Sequence, residues 1–453
     1  MRKVAGSGVS RRAALIGIAG TGATLAFPAI VGAQSADRYA KFRGTTVVVN
    51  VPAHPHYDVA MQLVPEFTKQ TGIKVEIDKM QYLRMHDKQV LEMAKPQGDY
   101  DVISYVVMWK TEYVAKKFLV PLEPFLANAA LADPGYDLRD IVKSYYENIG
   151  LVGGPKGYLP GPGARLYGIP FGSETSVLAY RKDILEKHGI APPATYEELL
   201  RACSIIKEKE RMGGLTSRGQ AGHQVTAAWL FHLTPYGGEV FDASWNPAFH
   251  KEPSLNALKA LKHIVDTGPA GIPSFGFGEM LNAFLQGEAA MYLDATAVFG
   301  PARNPQASKI VGKVGYAIHP KAVTYSGETG GFGLAIPNNS RNKEAAFLFI
   351  EWFTSKTADR IITSRGGSPM RASTIDDAEV MKQWPEFAVL KEAFKIANPD
   401  WRPIIPEWGE LNEQVLGIGL SEAITGRKGL QQALDDMVPK ATAIMKRAGY
   451  IRA

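Results

Sequence analysis

Cysteine is almost missing: Cys203 is the only one in 453 residues. A single thiol excludes an intramolecular disulfide, a cysteine-rich zinc site and an iron–sulfur cluster. An excess of charge of one sign is missing too. The chain has 51 Lys and Arg against 45 Asp and Glu, and four of the basic residues (Arg2, Lys3, Arg11, Arg12) fall within the first 33 positions. The remainder is close to neutral, with no basic stripe, so nucleic-acid binding is set aside. Long hydrophobic runs are lacking after the N-terminal stretch: none approaches about 18 uninterrupted apolar residues, the minimum for a comfortable membrane span. Catalytic signatures are also absent, with no G-x-S-x-G elbow, no Walker A sequence, no complete G-x-G-x-x-G and no HExxH. The histidines are scattered apart from His54 and His56. An extended backbone would put that pair on one side, where a metal pair is geometrically possible. A carboxylate pair for glycoside hydrolysis has no spacing signature and stays open.

What is present begins with an export signal. Ser10-Arg11-Arg12 precedes a glycine-diluted apolar run from Ala13 to Ala29, and Val31-Gly32-Ala33 supplies the small residues that signal peptidase accepts. Twin arginines before a weakly hydrophobic core point to the Tat route, with cleavage before Gln34. No cysteine follows the signal, so lipid attachment is not expected; the mature protein should be a soluble periplasmic one.

Apolar side chains make up 45% of the chain, enough for real cores, and the length allows two or three domains at roughly 100–200 residues each. Thr45–Val51 is a β-branched run and reads as a buried strand. Tyr57–Thr71 shows helical spacing and ends at Gly72, and Lys74–Ile77 reads as the next strand, giving a β-α-β unit. A helix at Asp87–Ala94 and a strand at Asp101–Ser104 repeat the alternation. Residues 150–163, with six glycines and three prolines, form a loop. Tyr167–Pro170 and Val177–Tyr180 read as two strands. Thr195 and Glu198 then make a capping box, and the helix they open turns Cys203 toward a core. Helices follow at Leu255–Asp266, Glu279–Gln286 and Lys343–Thr354, with strands at Val314–His319 and Gly333–Ile336. The last 45 residues read as helix broken at Gly426 and interrupted at Pro439.

Several stretches, in order, resemble one family. Thr71-Gly72-Ile73-Lys74-Val75 comes first, then Tyr100-Asp101-Val102-Ile103 with Trp109 and Glu112, and Leu119-Val120-Pro121-Leu122. The segment Leu166–Leu200 (LYGIPFGSETSVLAYRKDILEKHGIAPPATYEELL) is the most specific. Ala283–Asp294, Gly330–Trp352, Ile405–Val415 and Ser421–Leu434 complete the series. Together they resemble the maltose-binding-protein-like extracellular solute-binding proteins, family 1, of bacterial ABC importers, in particular the polyol and sugar binders.

The resemblance implies an α/β, two-lobed periplasmic binding protein fold. Each lobe would be a mostly parallel sheet flanked by helices, with the ligand cleft between them. The lobes would be discontinuous: 37–170 with 296–356, and 171–295 with 357–453. It implies a monomeric receptor without catalysis, cofactor or metal, which closes on a sugar or sugar alcohol and delivers it to an ABC permease. By the same resemblance the ligand would meet His54, Glu174, Asp294, Gly331 and Trp408. Aromatic platforms are expected from Tyr82, Tyr105, Trp109 and Phe332. Many relatives carry an acid near positions 106–108; this chain has Val106-Val107-Met108, so the resemblance does not carry that hydroxyl contact over. An anionic sugar derivative is the alternative solute, with Arg84, Arg165, Arg303, Arg371 and Arg402 as its candidate partners. Arg371 is expected in a surface salt bridge. The remaining rivals are a carbohydrate-active enzyme using Glu174 and Asp294, and a metal receptor using His54 and His56.

Overall fold

A computed structural model describes residues 38–452; the export segment and its cleavage point lie outside the described residues. Eight strands set the architecture: β1 (Thr46–Pro52), β2 (Lys74–Met80), β3 (Val102–Val106), β4 (Ile169–Arg181), β5 (Gly213–Thr216), β6 (Ala289–Ala295), β7 (Val314–Ile318) and β8 (Gly327–Ala335). The helices used below are α1 (Pro55–Ala60), α2 (Val64–Thr71), α3 (Tyr82–Met93), α4 (Tyr196–Lys209), α5 (His223–Leu233), α6 (Phe277–Leu285), α7 (Lys356–Ser364) and α8 (Leu430–Arg447).

The first lobe is built on β1. Val47, Val49 and Val51 share one fully buried face, because alternate residues of a strand point the same way. β1 pairs in parallel with β2 and with β3. Between β1 and β2 the chain runs through α1 and α2 and ends at Gly72, whose φ of +73° is the left-handed turn that stops a helix.

The two lobes share β4 and β8. The sheet runs β2-β1-β3-β8-β4-β6-β5. β8 lies antiparallel to β3 through Gly333 and Tyr105, and antiparallel to β4 through Gly330 and Glu174. Beyond Ser176, β4 turns its pairing to β6 and β7 in the second lobe, both antiparallel, while β5 and β6 are parallel. The two strands expected at Tyr167–Pro170 and Val177–Tyr180 are thus one. The polar middle, Gly172-Ser173-Glu174-Thr175, reads as a break in sequence, yet it is buried and paired where the strand passes between lobes.

The capping box forms as expected: Thr195 accepts from the Glu198 amide, and the Glu198 carboxylate accepts from Thr195 N. Cys203, on α4, is fully buried, and burial pushes its thiol up to about 12, so it is a core residue and not a reactive one. In the same lobe the Tyr196 hydroxyl lies 2.7 Å from His232 Nδ1 and 3.0 Å from His319 Nε2, while His319 Nδ1 lies 3.0 Å from Ser176 Oγ. Pro439 does not interrupt the C-terminal helix; α8 runs through it. It sits on the exposed face, where the carbonyl that loses its partner meets water. Among the described residues no helix is long and apolar enough to cross a membrane.

Candidate functional site

The loop after β1 turns into α1 at His54, whose Nδ1 accepts from the His56 amide (3.3 Å). That contact leaves the ring proton on Nε2, which donates to Glu174 Oε1 at 3.0 Å. Glu174 lies in the middle of β4, so the first loop is tied to the strand that links the lobes. His56 takes a different path. Its Nδ1 accepts from the Ser368 amide, and burial holds it neutral, pulling its pKa down to about 3. The two rings therefore serve separate partners, and among the described residues no cluster of three potential metal ligands occurs.

Across from His54 the second lobe presents Arg218, His223, Phe231, Phe277, Trp401 and Arg402. With Tyr82, Val106, Glu174, Glu328, Gly331 and Phe332 they line a cavity of about 60 Å³. At roughly 10–15 Å³ per water, that is room for a few waters or a small solute. The lobes are closed over it. The His54 ring stacks on Phe277 at 6.0 Å, Gln224 Nε2 donates to Tyr82 Oη at 2.7 Å, and Thr111 Oγ1 donates to Ile404 O.

The charges in the wall are unequal in their commitments. Arg218 is already matched: Asp294 on β6 takes its Nε (2.9 Å) and one terminal nitrogen, a fork-to-fork pair. Burial pushes Asp294 above the ordinary carboxylate range even though Arg218 opposes it. Arg402 is nine-tenths buried and stacks on Trp401 at 4.4 Å, but its Nε has no hydrogen-bond partner among the described residues. Glu328 has an equally orphaned Oε2. Burial, with the nearby Asp294 charge, pushes its carboxyl up to about 8, while burial pulls Arg402 down to about 10. A buried donor and a buried acceptor left open at one cavity are what a bound polar solute would satisfy.

Of the residues expected at the ligand, His54, Tyr82, Glu174, Gly331 and Phe332 line the cavity. Asp294 stands behind Arg218 and orients it. Tyr105 lies in the core, its hydroxyl donating to Ile149 O at 2.7 Å. Trp109 lines a separate outer groove and packs on His86 at 5.0 Å. Trp408 is buried outside the cavity lining. Arg371 is not on the surface as expected: it is fully buried and donates to the carbonyls of Thr354 and Asp137 and to Asp140. Arg218, His223, Phe231, Phe277, Glu328 and Trp401 were not anticipated. The one sequence signal was Trp401-Arg402, an aromatic beside a cation in a segment poor in other features.

Gly331 shows why a glycine stands on β8. Its φ is +96°, and a Cβ there would lie 2.4 Å from Gly172 O and 2.9 Å from Glu174 N. Both obstacles are backbone and cannot rotate away. Gly331→Ala should destabilise the fold by about 2–3 kcal/mol, combining left-handed strain with the clash. Urea unfolding should show it, and solute binding should fall with it because β4 and β8 shift at Glu174.

The family model described as "Bacterial extracellular solute-binding protein" matches residues 54–360. A probable amino-acid ABC transporter periplasmic-binding protein, y4oP, of Sinorhizobium fredii is 26% identical over 397 residues, covering 85% of this chain and 86% of that protein. The mannitol-binding protein of Pseudomonas aeruginosa is 28% identical over 393 residues, covering 81% and 85%. A solute-binding protein from Agrobacterium radiobacter K84, solved in complex with ribitol, superposes with a TM-score of 0.81 at 27% identity, covering 89% of this chain and 99% of that one.

Proposed function

Because this chain belongs to the bacterial extracellular solute-binding protein family, we propose that it captures a neutral, acyclic sugar alcohol and hands it to an ABC permease. The observation that supports this most is an unpartnered guanidinium nitrogen and an unpartnered carboxyl oxygen on two residues of the cavity wall, Arg402 and Glu328. A hydroxyl both donates and accepts, so neighbouring hydroxyls of one chain can meet Arg402 and Glu328 together. Phe231, Phe277 and Phe332 offer apolar surface to the C–H side. Mannitol and ribitol, named for two relatives, fit that chemistry.

An anionic solute fits less well. Arg218 is committed to Asp294, and the one remaining guanidinium in the wall, Arg402, shares it with the Glu174 carboxyl group. The second reading, a solute carrying a carboxylate such as a sugar acid or an amino acid, rests on Arg402 alone. Binding proceeds without a chemical step. Asp294, one half of the glycosidase pair considered, is locked to Arg218 and away from the cavity lining.

We propose the remaining particulars with it: export to the periplasm with a cleaved, unlipidated N-terminus, a monomeric receptor, and lobes of 37–170 with 296–356 and 171–295 with 357–453. In that division the start of the last segment stays fastened to the first lobe through His56–Ser368 and Arg371–Asp140.

Titration calorimetry with D-mannitol and with D-gluconate tests the proposal. Arg402→Met should weaken D-mannitol binding about 30-fold or more, the cost of removing a buried charged donor. Glu328→Gln should cost less than about fivefold at pH 7, since its amide resembles the protonated carboxyl. D-gluconate bound more tightly than D-mannitol would select the second reading instead.

A further inference from the structure

The wall between the cavity and the outside is a contact between lobes. His223, at the start of α5, lines both the inner cavity and an outer groove of about 730 Å³ that runs between α3 and the segment around Glu407–Gln414. Tyr82, at the start of α3, meets that ring edge-on at 6.1 Å and 82°. Next to His223, Gln224 reaches across and donates from Nε2 to Tyr82 Oη at 2.7 Å. The second lobe holds its half of this contact firmly. Asn412 Nδ2 donates to His223 Nδ1 at 3.0 Å, and Thr226 Oγ1 donates to Asn412 O at 2.9 Å.

Gln224 is nine-tenths buried or more, and its Oε1 has no hydrogen-bond partner among the described residues. Tyr82 is the protein partner of the Gln224 NH2 group when the lobes are shut, while Oε1 stays unpaired. When they part, water satisfies both groups. We infer that Tyr82 and Gln224 form a closure latch, with His223 as the partition, and that this latch sets how long a captured solute stays rather than how fast it enters. The inference rests on the reading of the cavity as a solute site: Tyr82 shares the wall of that cavity, while Gln224 stands outside its lining, so Gln224→Met separates the latch from a lost solute contact.

The geometry explains the kinetic assignment. Entry happens while the lobes are apart and the pair is unmade, so its loss leaves the encounter unchanged. Exit requires the pair to break, so its loss speeds exit. Removing the Tyr82 hydroxyl leaves the Gln224 amide without a partner in the closed state only, which selectively disfavours that state.

Stopped-flow fluorescence with D-mannitol as the probe reads both rates. Tyr82→Phe should raise the dissociation rate about tenfold without slowing association. Gln224→Met should do the same, and the double variant should match either single one instead of giving their product. Unchanged dissociation in Tyr82→Phe, or independent effects that multiply in the double variant, overturns the latch. Failure of the wild-type protein to bind D-mannitol strikes the polyol reading instead. The latch is then read by small-angle scattering of the unliganded protein, where both single variants should show a larger radius of gyration than wild type, and equal radii overturn it.

Discussion

Replacing Asp294 by asparagine should destabilise the protein by about 3–5 kcal/mol and remove solute binding, because it leaves the Arg218 guanidinium buried without its counter-charge. Asp294 is 1% exposed, and its two oxygens take two of Arg218's nitrogens while one also accepts from Ala295 N at 2.8 Å. The asparagine side chain would keep the size and lose the charge. Arg218 packs at 5.0 Å from the Phe277 ring, so a released guanidinium would disturb the aromatic wall as well. Removing both charges tells a different story. Arg218→Met with Asp294→Leu should recover much of the lost stability in urea unfolding, since neither partner is left unpaired, but binding should stay weak. Equal stability of Asp294→Asn and wild type would show that the pair does not carry the wall.

Acidification is the second large effect. Burial pulls His56, His223, His232 and His319 down to about 3, with neighbouring charge adding to it for the first three. A histidine whose folded pKa is depressed binds fewer protons folded than unfolded. Its stabilising contribution is therefore full above the unfolded value near 6.5 and is lost progressively as pH falls toward 3. Between pH 7 and pH 5 each should lose about 2 kcal/mol. Glu328, raised to about 8, and Asp359, raised to about 6 by its burial, act in the opposite sense and regain roughly half of that sum. The net expected change is a loss of about 4 kcal/mol, read as a lower urea midpoint at pH 5 than at pH 7. A flat profile would mean that these rings are solvated.

Much of the fold was legible where its signals are local. The run Thr45–Val51, the helix stop at Gly72 and the capping box at Thr195 each depend on residues within a few positions, and each forms. β4 was not, because Gly172–Thr175 is polar and its pairing partners, Thr329–Gly331 and Ser176's neighbours on β6, lie more than a hundred residues away. The site divides in the same manner. Glu174 and Gly331 came from stretches with a family likeness, His54 from the place of its loop in that likeness, and all three line the cavity. Arg218 and Glu328 come from segments without a motif and reach the cavity only through tertiary folding. Arg371 shows the limit of composition: a loop arginine reads as exposed until two backbone carbonyls and Asp140 are seen to enclose it.

The most direct test is a thermal-shift series on the mature protein with D-mannitol, ribitol, D-glucose, D-gluconate and an amino-acid mixture. A solute present at 100 times its Kd stabilises the folded state by about 2.7 kcal/mol. The account predicts a Tm increase of some degrees with D-mannitol or ribitol and none with D-gluconate or amino acids. A shift confined to the carboxylate-bearing solutes, with none from either polyol, would contradict it.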